Sequence, residues 1–329
     1  MSAMKQCIPK LSGYAPAIPT PFNADGSIDH VTFERFCDLQ INHGAGALVV
    51  CGTTGEAPTL STAEQDALVR IAVGVAARRV PVIAGAGSNS TAHAIELSQS
   101  AEAAGADAVL SIAPYYNKPT QAGLHAHFSA IAQSTGLPIV LYDVPSRTAC
   151  GIADDTIFRL AELPQFIGLK DATGDVARPI RLRPHLPDHF RLLSGDDATA
   201  WVFIVQGGDG CISVTSNAAP GLCQSLFLAC RQSDMERARQ LALPVAQLTT
   251  ALFSESNPAP LKYALHLLGL MSPKVRLPLV ELTAANKAAV TAAVAHLCEA
   301  YSEYVINDCR KDSLRKDTCS TWPAPDRSA

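Results

Sequence analysis

Short apolar runs alternate with longer amphipathic stretches along most of this chain. Eight apolar runs stand out, at residues 15–18, 47–51, 80–84, 108–113, 138–142, 166–170, 190–193 and 211–214. They are continuously apolar instead of alternating, the pattern of strands buried on both faces and hence of a parallel sheet. Between them the spacing predicts helices over 31–43, 62–77, 91–104, 123–134, 154–161 and 198–206, with a poorly defined stretch after Asp175. The repeat is roughly 20 to 33 residues, the size of one strand-plus-helix unit. The expected fold class is therefore α/β. Eight such units fit a (β/α)8 TIM barrel, with an open doubly wound sheet as the alternative. Beyond the eighth run, helical patterns follow one another at 222–231, 235–253, 260–268 and 282–304. The expected organisation is a barrel over 1–230, a helical C-terminal domain over 231–305, and a polar, disordered tail over 306–329.

Composition narrows the function classes. Hydrophobic residues make up 48% and charged residues 17%, which excludes a wholly disordered chain. A net charge of −4 argues against a broad nucleic-acid-binding face. No apolar run reaches the ~18 residues of a membrane span. Residues 1–10 lack the apolar stretch of a secretory signal. The expected compartment is the cytosol, with neither membrane nor nucleic acid as partner. Ten cysteines are present, none in a Cys-x-x-Cys pair, so no metal site is expected and, in the cytosol, no disulfides.

In a TIM barrel the chemistry sits at the C-terminal ends of the strands. Lys170 closes the apolar run 166–170. Lysine is rarely buried without a reason, burial favours a neutral amine, and a neutral amine attacks a ketone to form an imine. The plainer reading is a strand-end lysine that reaches solvent or pairs with Asp171. Tyr142 ends the neighbouring run, so its phenol can relay protons to such an amine; it can equally be a packing aromatic. Thr53 and Thr54 sit between Gly52 and Gly55. Their amides and hydroxyls suit a carboxylate, or simply a turn. Arg147 follows Pro145 and can fork onto a second carboxylate, or lie on the surface. Tyr115 and Tyr116 are further aromatics of the same face.

Five motifs occur in order: Gly-Thr-Thr-Gly-Glu at 52–56, Pro-Tyr-Tyr-Asn-Lys-Pro at 114–119, Tyr-Asp-Val-Pro-Ser-Arg-Thr at 142–148, Gly-Leu-Lys-Asp-Ala-Thr-Gly at 168–174 and Leu-Ser-Gly-Asp-Asp at 193–197. Together they resemble the dihydrodipicolinate synthases of the pyruvate-dependent class I aldolase superfamily, from about residue 13 to about residue 300. The resemblance implies a (β/α)8 barrel with a helical C-terminal domain, usually in a homotetramer. It implies condensation of pyruvate with aspartate-4-semialdehyde in diaminopimelate and lysine biosynthesis, with no cofactor beyond a covalent imine on Lys170. Carried over, Tyr142, Thr53 and Tyr116 form a proton relay, with Tyr116 crossing from a neighbouring subunit. Thr54 holds the pyruvate carboxylate and Arg147 the carboxylate of the aldehyde. Gly195 and Ile212 line the pyruvate pocket. Ala57, Thr62, Gln65, Asn89, His93 and Tyr115 match a lysine-regulatory site. Two positions depart from the family pattern: Asp143 stands where many members carry Asn, and His93 where lysine-inhibited members carry Glu. An imidazole is a poor partner for an ammonium group, so weak or absent inhibition by lysine is expected. Sibling aldolases of N-acetylneuraminate or 2-keto-3-deoxy sugar acids share Lys170 and Tyr142; Arg147 favours the small acidic acceptor. A non-catalytic barrel is the remaining alternative.

Overall fold

A computed structural model describes residues 11–306. The readings made for residues 1–10 and for the tail from 307 onward lie outside the described residues. Eight strands form one parallel sheet: β1 Gly13–Pro16, β2 Leu48–Val50, β3 Val82–Gly85, β4 Ala108–Ile112, β5 Ile139–Asp143, β6 Phe166–Asp171, β7 Arg191–Ser194 and β8 Gly210–Ser213. Their order is β1-β8-β7-β6-β5-β4-β3-β2. A parallel bridge from Ala17 to Val49 closes the ring, and the Ile18 amide donates to the Val49 carbonyl at 2.8 Å. The sheet is thus a TIM barrel, not an open doubly wound sheet.

Helices fill the crossovers: α1 His30–Asn42, α2 Thr62–Ala76, α3 Thr91–Ala103, α4 Gln121–Ser134, α5 Pro145–Thr148, α6 Asp154–Ala161, α7 Arg178–Leu182 and α8 Ala200–Val205. Their starts follow capping chemistry. Asp29, Ser90 and Thr120 each accept an amide of the first turn, and Ser61 with Glu64 completes a reciprocal capping box at α2. The stretch after Asp175 resolves into α7. Helices α9 Pro220–Arg231, α10 Met235–Leu252, α11 Ala259–Leu267 and α12 Ala284–Ala300 follow the last strand. The last begins at Ala284 because the Thr283 hydroxyl caps it. Among the described residues no helix is long and apolar enough to cross a membrane.

Successive strand residues face opposite ways, so the sheet has two apolar layers. One packs against the helices. The other fills the barrel with small and branched side chains, among them Ala15, Ala47, Val49, Ile83, Ala108, Val140, Ile167 and Ile212. This plugged interior leaves the strand ends, and the loops on them, as the place for a cavity.

Candidate active site

Strands β5 and β6 pair with Tyr142 beside Lys170 and Asp143 beside Asp171. The Lys170 side chain is 7% exposed and its Nζ lies 4.1 Å from the centre of the Tyr142 ring. Among the described residues Lys170 has no ion pair and Nζ has no hydrogen bond. Pairing with Asp171 does not form. That carboxylate instead accepts from Arg178 at 3.2 Å and from the Thr173 amide and hydroxyl at 2.9 and 2.7 Å. Gly195, after β7, explains how the lysine stem fits. A Cβ there would sit 3.0 Å from Lys170 Cε and 2.9 Å from Ala172 Cβ. Ile212 on β8 is buried in the inner layer with Tyr142.

A cavity of about 400 Å³ opens over the ends of β2 to β5, with Thr53, Tyr142, Arg147 and Thr148 on its wall; Lys170 reaches it only behind the Tyr142 ring, and Thr54, Gly195 and Ile212 are not on that wall. Tyr115, His93, Gln65 and Ala57 line the same cavity, so most of the positions matched to a regulatory site adjoin the catalytic ones. Thr62 and Asn89 are not on that wall. Arg147 owes its place to α5, a single turn that opens with Pro145 and ends on Ala149 in the left-handed region. Thr148 fixes that turn by donating to the carbonyls of Val144 and Cys150 at 3.1 and 2.6 Å. A four-residue turn carries no periodicity, so the sequence pattern did not show it.

The turn after β2 is held from the far end of the chain. Asn257 Nδ2 donates to the Thr54 hydroxyl oxygen at 2.9 Å, which leaves the Thr54 O–H free to donate elsewhere. Glu56 has a left-handed φ of 57° and a buried carboxylate. That carboxylate accepts from Lys262 Nζ at 2.8 Å and from the Arg276 amide at 2.9 Å. Sequence reasoning missed Asn257, Lys262 and Arg178. The signal for Lys262 was present, a lone cation among apolar residues at 258–265.

Tyr116 behaves differently from the rest. Its φ is 71° and its side chain is 88% exposed, so it projects away from the cavity of its own chain. His93 lies on the first turn of α3, with Nδ1 3.2 Å from Glu96 Oε2.

The sequence matches the Dihydrodipicolinate synthetase family over residues 10–297. The chain belongs to this family. It is 50% identical over 285 residues to the 4-hydroxy-tetrahydrodipicolinate synthase of Hyphomonas neptunium, covering 86% of this chain and 97% of that relative. Its fold superimposes on the 4-hydroxy-tetrahydrodipicolinate synthase of Methylacidiphilum fumariolicum SolV with a TM-score of 0.87 at 42% identity, over 90% of this chain and 98% of that one. A dihydrodipicolinate synthase from Acinetobacter baumannii, solved in complex with pyruvate, matches with a TM-score of 0.84 at 44% identity, over 86% and 98% of the two chains. The motif resemblance and the barrel therefore agree with the family as a whole.

Proposed function

We propose that this protein is a 4-hydroxy-tetrahydrodipicolinate synthase that condenses pyruvate with L-aspartate-4-semialdehyde in diaminopimelate and lysine biosynthesis. The observation that carries the reading is Lys170, a buried amine with no carboxylate partner among the described residues, set against Tyr142, whose ring lines a cavity with Thr53 and Arg147.

The chemistry follows from those groups. The Lys170 amine attacks the pyruvate ketone and water leaves, giving an imine. Loss of a methyl proton gives an enamine, with the imine nitrogen taking up the electron pair, so the covalent adduct itself supplies the electron sink. The enamine carbon then attacks the aldehyde. The substrate's own amine closes the ring and displaces Lys170. Thr54 would hold the pyruvate carboxylate, and its O–H is oriented to donate because its oxygen already accepts from Asn257. Arg147 would hold the carboxylate of the aldehyde with its planar fork. Gly195 and Ile212 would shape the pyruvate pocket. Tyr142 and Thr53 would shuttle protons, with Tyr116 of a second copy completing the relay. The 88% exposure of Tyr116 supports that reading, since the side chain is free to reach across an interface. On this reading the working unit is a cytosolic homotetramer. Residues 1–230 serve as the catalytic barrel, and the helices of 231–305 brace its substrate turn.

The test is condensation of pyruvate with aspartate-4-semialdehyde, coupled to dihydrodipicolinate reductase and followed by NADPH loss. Turnover is expected. A folded sample that forms a borohydride-trapped pyruvate adduct but shows no turnover would move the assignment to a sugar-acid aldolase. One that forms neither would leave a non-catalytic barrel.

Feedback control is expected to be weak. His93 occupies the position where lysine-inhibited members typically carry a glutamate for the inhibitor's ammonium group, and its Nδ1 lies 3.2 Å from Glu96 Oε2. Activity should stay close to its uninhibited value across sub-millimolar lysine. Half-inhibition within that range would show that other groups replace the missing carboxylate.

A further inference from the structure

Strand periodicity places Tyr142 and Lys170 on one face of the β5–β6 pair and Asp143 and Asp171 on the other. The two carboxylates are neighbours in register and both are buried. Like charges placed side by side on adjacent strands push those strands apart. Here a single guanidinium separates them. Arg178 Nη1 donates to Asp143 Oδ2 at 2.8 Å and to Asp171 Oδ2 at 3.2 Å. Its Nε donates to Asp154 Oδ1 at 3.0 Å, at the start of α6, and its Nη2 donates to the Ile152 carbonyl. Arg178 is itself buried. The planar fork thus joins the ends of two strands, a helix start and the loop between them, which a point charge does not do.

We propose that Arg178 is a positioning residue for imine formation: it clamps the outer face of β5 and β6 at the level of Tyr142 and Lys170 and so fixes the phenol against the amine. The inference rests on the imine reading of Lys170. The clamp also accommodates Asp143, the departure from the family pattern. Asp143 Oδ2 accepts from Arg178 and from the Ile152 amide at 3.2 Å, while its buried Oδ1 has no partner among the described residues. Asp154 also pairs with Arg181 at 3.3 Å, whereas Asp143 and Asp171 face the one guanidinium of Arg178, so an amide at 143 satisfies the clamp as well as a carboxylate does.

The experiment measures the rate constant for borohydride-trapped pyruvate adduct on Lys170, across a pyruvate titration up to saturation, in the full-length protein. Wild type is compared with Arg178→Lys, Arg178→Met, Asp143→Asn and the Asp143→Asn/Arg178→Met double variant. A displacement of about 1 Å costs on the order of 10²-fold in rate, so Arg178→Met should slow trapping by about that factor and Arg178→Lys by about tenfold. Asp143→Asn alone should stay within about threefold of wild type, and added to Arg178→Met it should restore about tenfold, because it removes one of the two facing charges. The pyruvate concentration giving half-maximal rate should hold in Arg178→Lys, since Thr53 and Thr54 are untouched. A purely structural role would lower the amplitude of trapping through lost folded protein and leave the rate constant alone. Arg178→Lys keeps the stem and charge, so it serves where Arg178→Met does not fold. Wild type that traps no pyruvate on Lys170 overturns the imine reading and the proposal with it. Normal trapping in wild type, at an unchanged rate in folded Arg178→Lys, overturns the role of Arg178 alone. So does an Arg178→Met defect that Asp143→Asn fails to relieve.

Discussion

Lys170→Ala should reduce condensation by about 10⁴-fold or more, because removing a covalent nucleophile removes the reaction path and not one contact along it. The protein itself should stay folded. Among the described residues Lys170 has no carboxylate partner, so its removal strands no buried anion, and the space vacated is that of a lysine stem packed under Gly195. Lys170→Arg is the companion variant. It keeps a long basic side chain near the Tyr142 ring but presents a guanidinium, which stays protonated and does not form the imine. Both should lose the borohydride-trapped adduct while retaining a cooperative thermal transition. Mass spectrometry of the trapped protein identifies the modified residue. An adduct that persists in Lys170→Ala, or turnover in either variant near the wild-type rate, would remove Lys170 from the mechanism.

Much of the barrel was legible because its strands are continuous apolar runs, and few other elements place such runs at regular intervals. The strand edges were less legible, for a physical reason. The first run was read as 15–18, but β1 is Gly13–Pro16. Ala17 and Ile18 are buried because they close the ring against Val49, and burial alone does not mark the limits of a ladder. Helix α7, five residues with Pro179 near its start, is too short to show a period. The same division holds at the site. Lys170 and Tyr142 are the penultimate residues of their strands, and Thr53 and Arg147 follow strand ends by three and four residues, so their position in the chain announces their position in space. Arg178 and Asn257 act on strand-end groups from other elements. Asn257 reaches Thr54 across 203 residues of sequence. No local pattern records such a contact. Tyr116 was legible as a motif residue, yet its own chain leaves it outside the cavity, since its role on the proposed reading belongs to an assembly.

The largest expected loss of stability comes from the second buried lysine. Lys262 on α11 is fully buried, and its Nζ donates to Glu56 Oε1 and to the Thr20 carbonyl, both at 2.8 Å, over the Phe22 ring at 4.2 Å. Lys262→Met removes the cation and leaves the Glu56 carboxylate enclosed with the Arg276 amide as its remaining donor among the described residues. Breaking one side of a buried pair costs about 3–5 kcal/mol, a large share of a typical domain's stability. Activity should fall as well, because Glu56 ends the turn that presents Thr53 and Thr54. Changing both partners, Lys262→Met with Glu56→Gln, removes the stranded charge and should recover much of the loss. The pH dependence gives an independent check. Burial, working against the attraction of Glu56, pushes the Lys262 amine down to about 8 from an ordinary 10.5. Between those values the unfolded chain holds a proton that the folded chain has released, so this group makes stability rise with pH. Urea unfolding at several pH values across that window should show the rising contribution in wild type and its absence in Lys262→Met. Equal slopes in the two proteins, or a single variant as stable as wild type at neutral pH, would show that the Glu56 turn is held by other contacts.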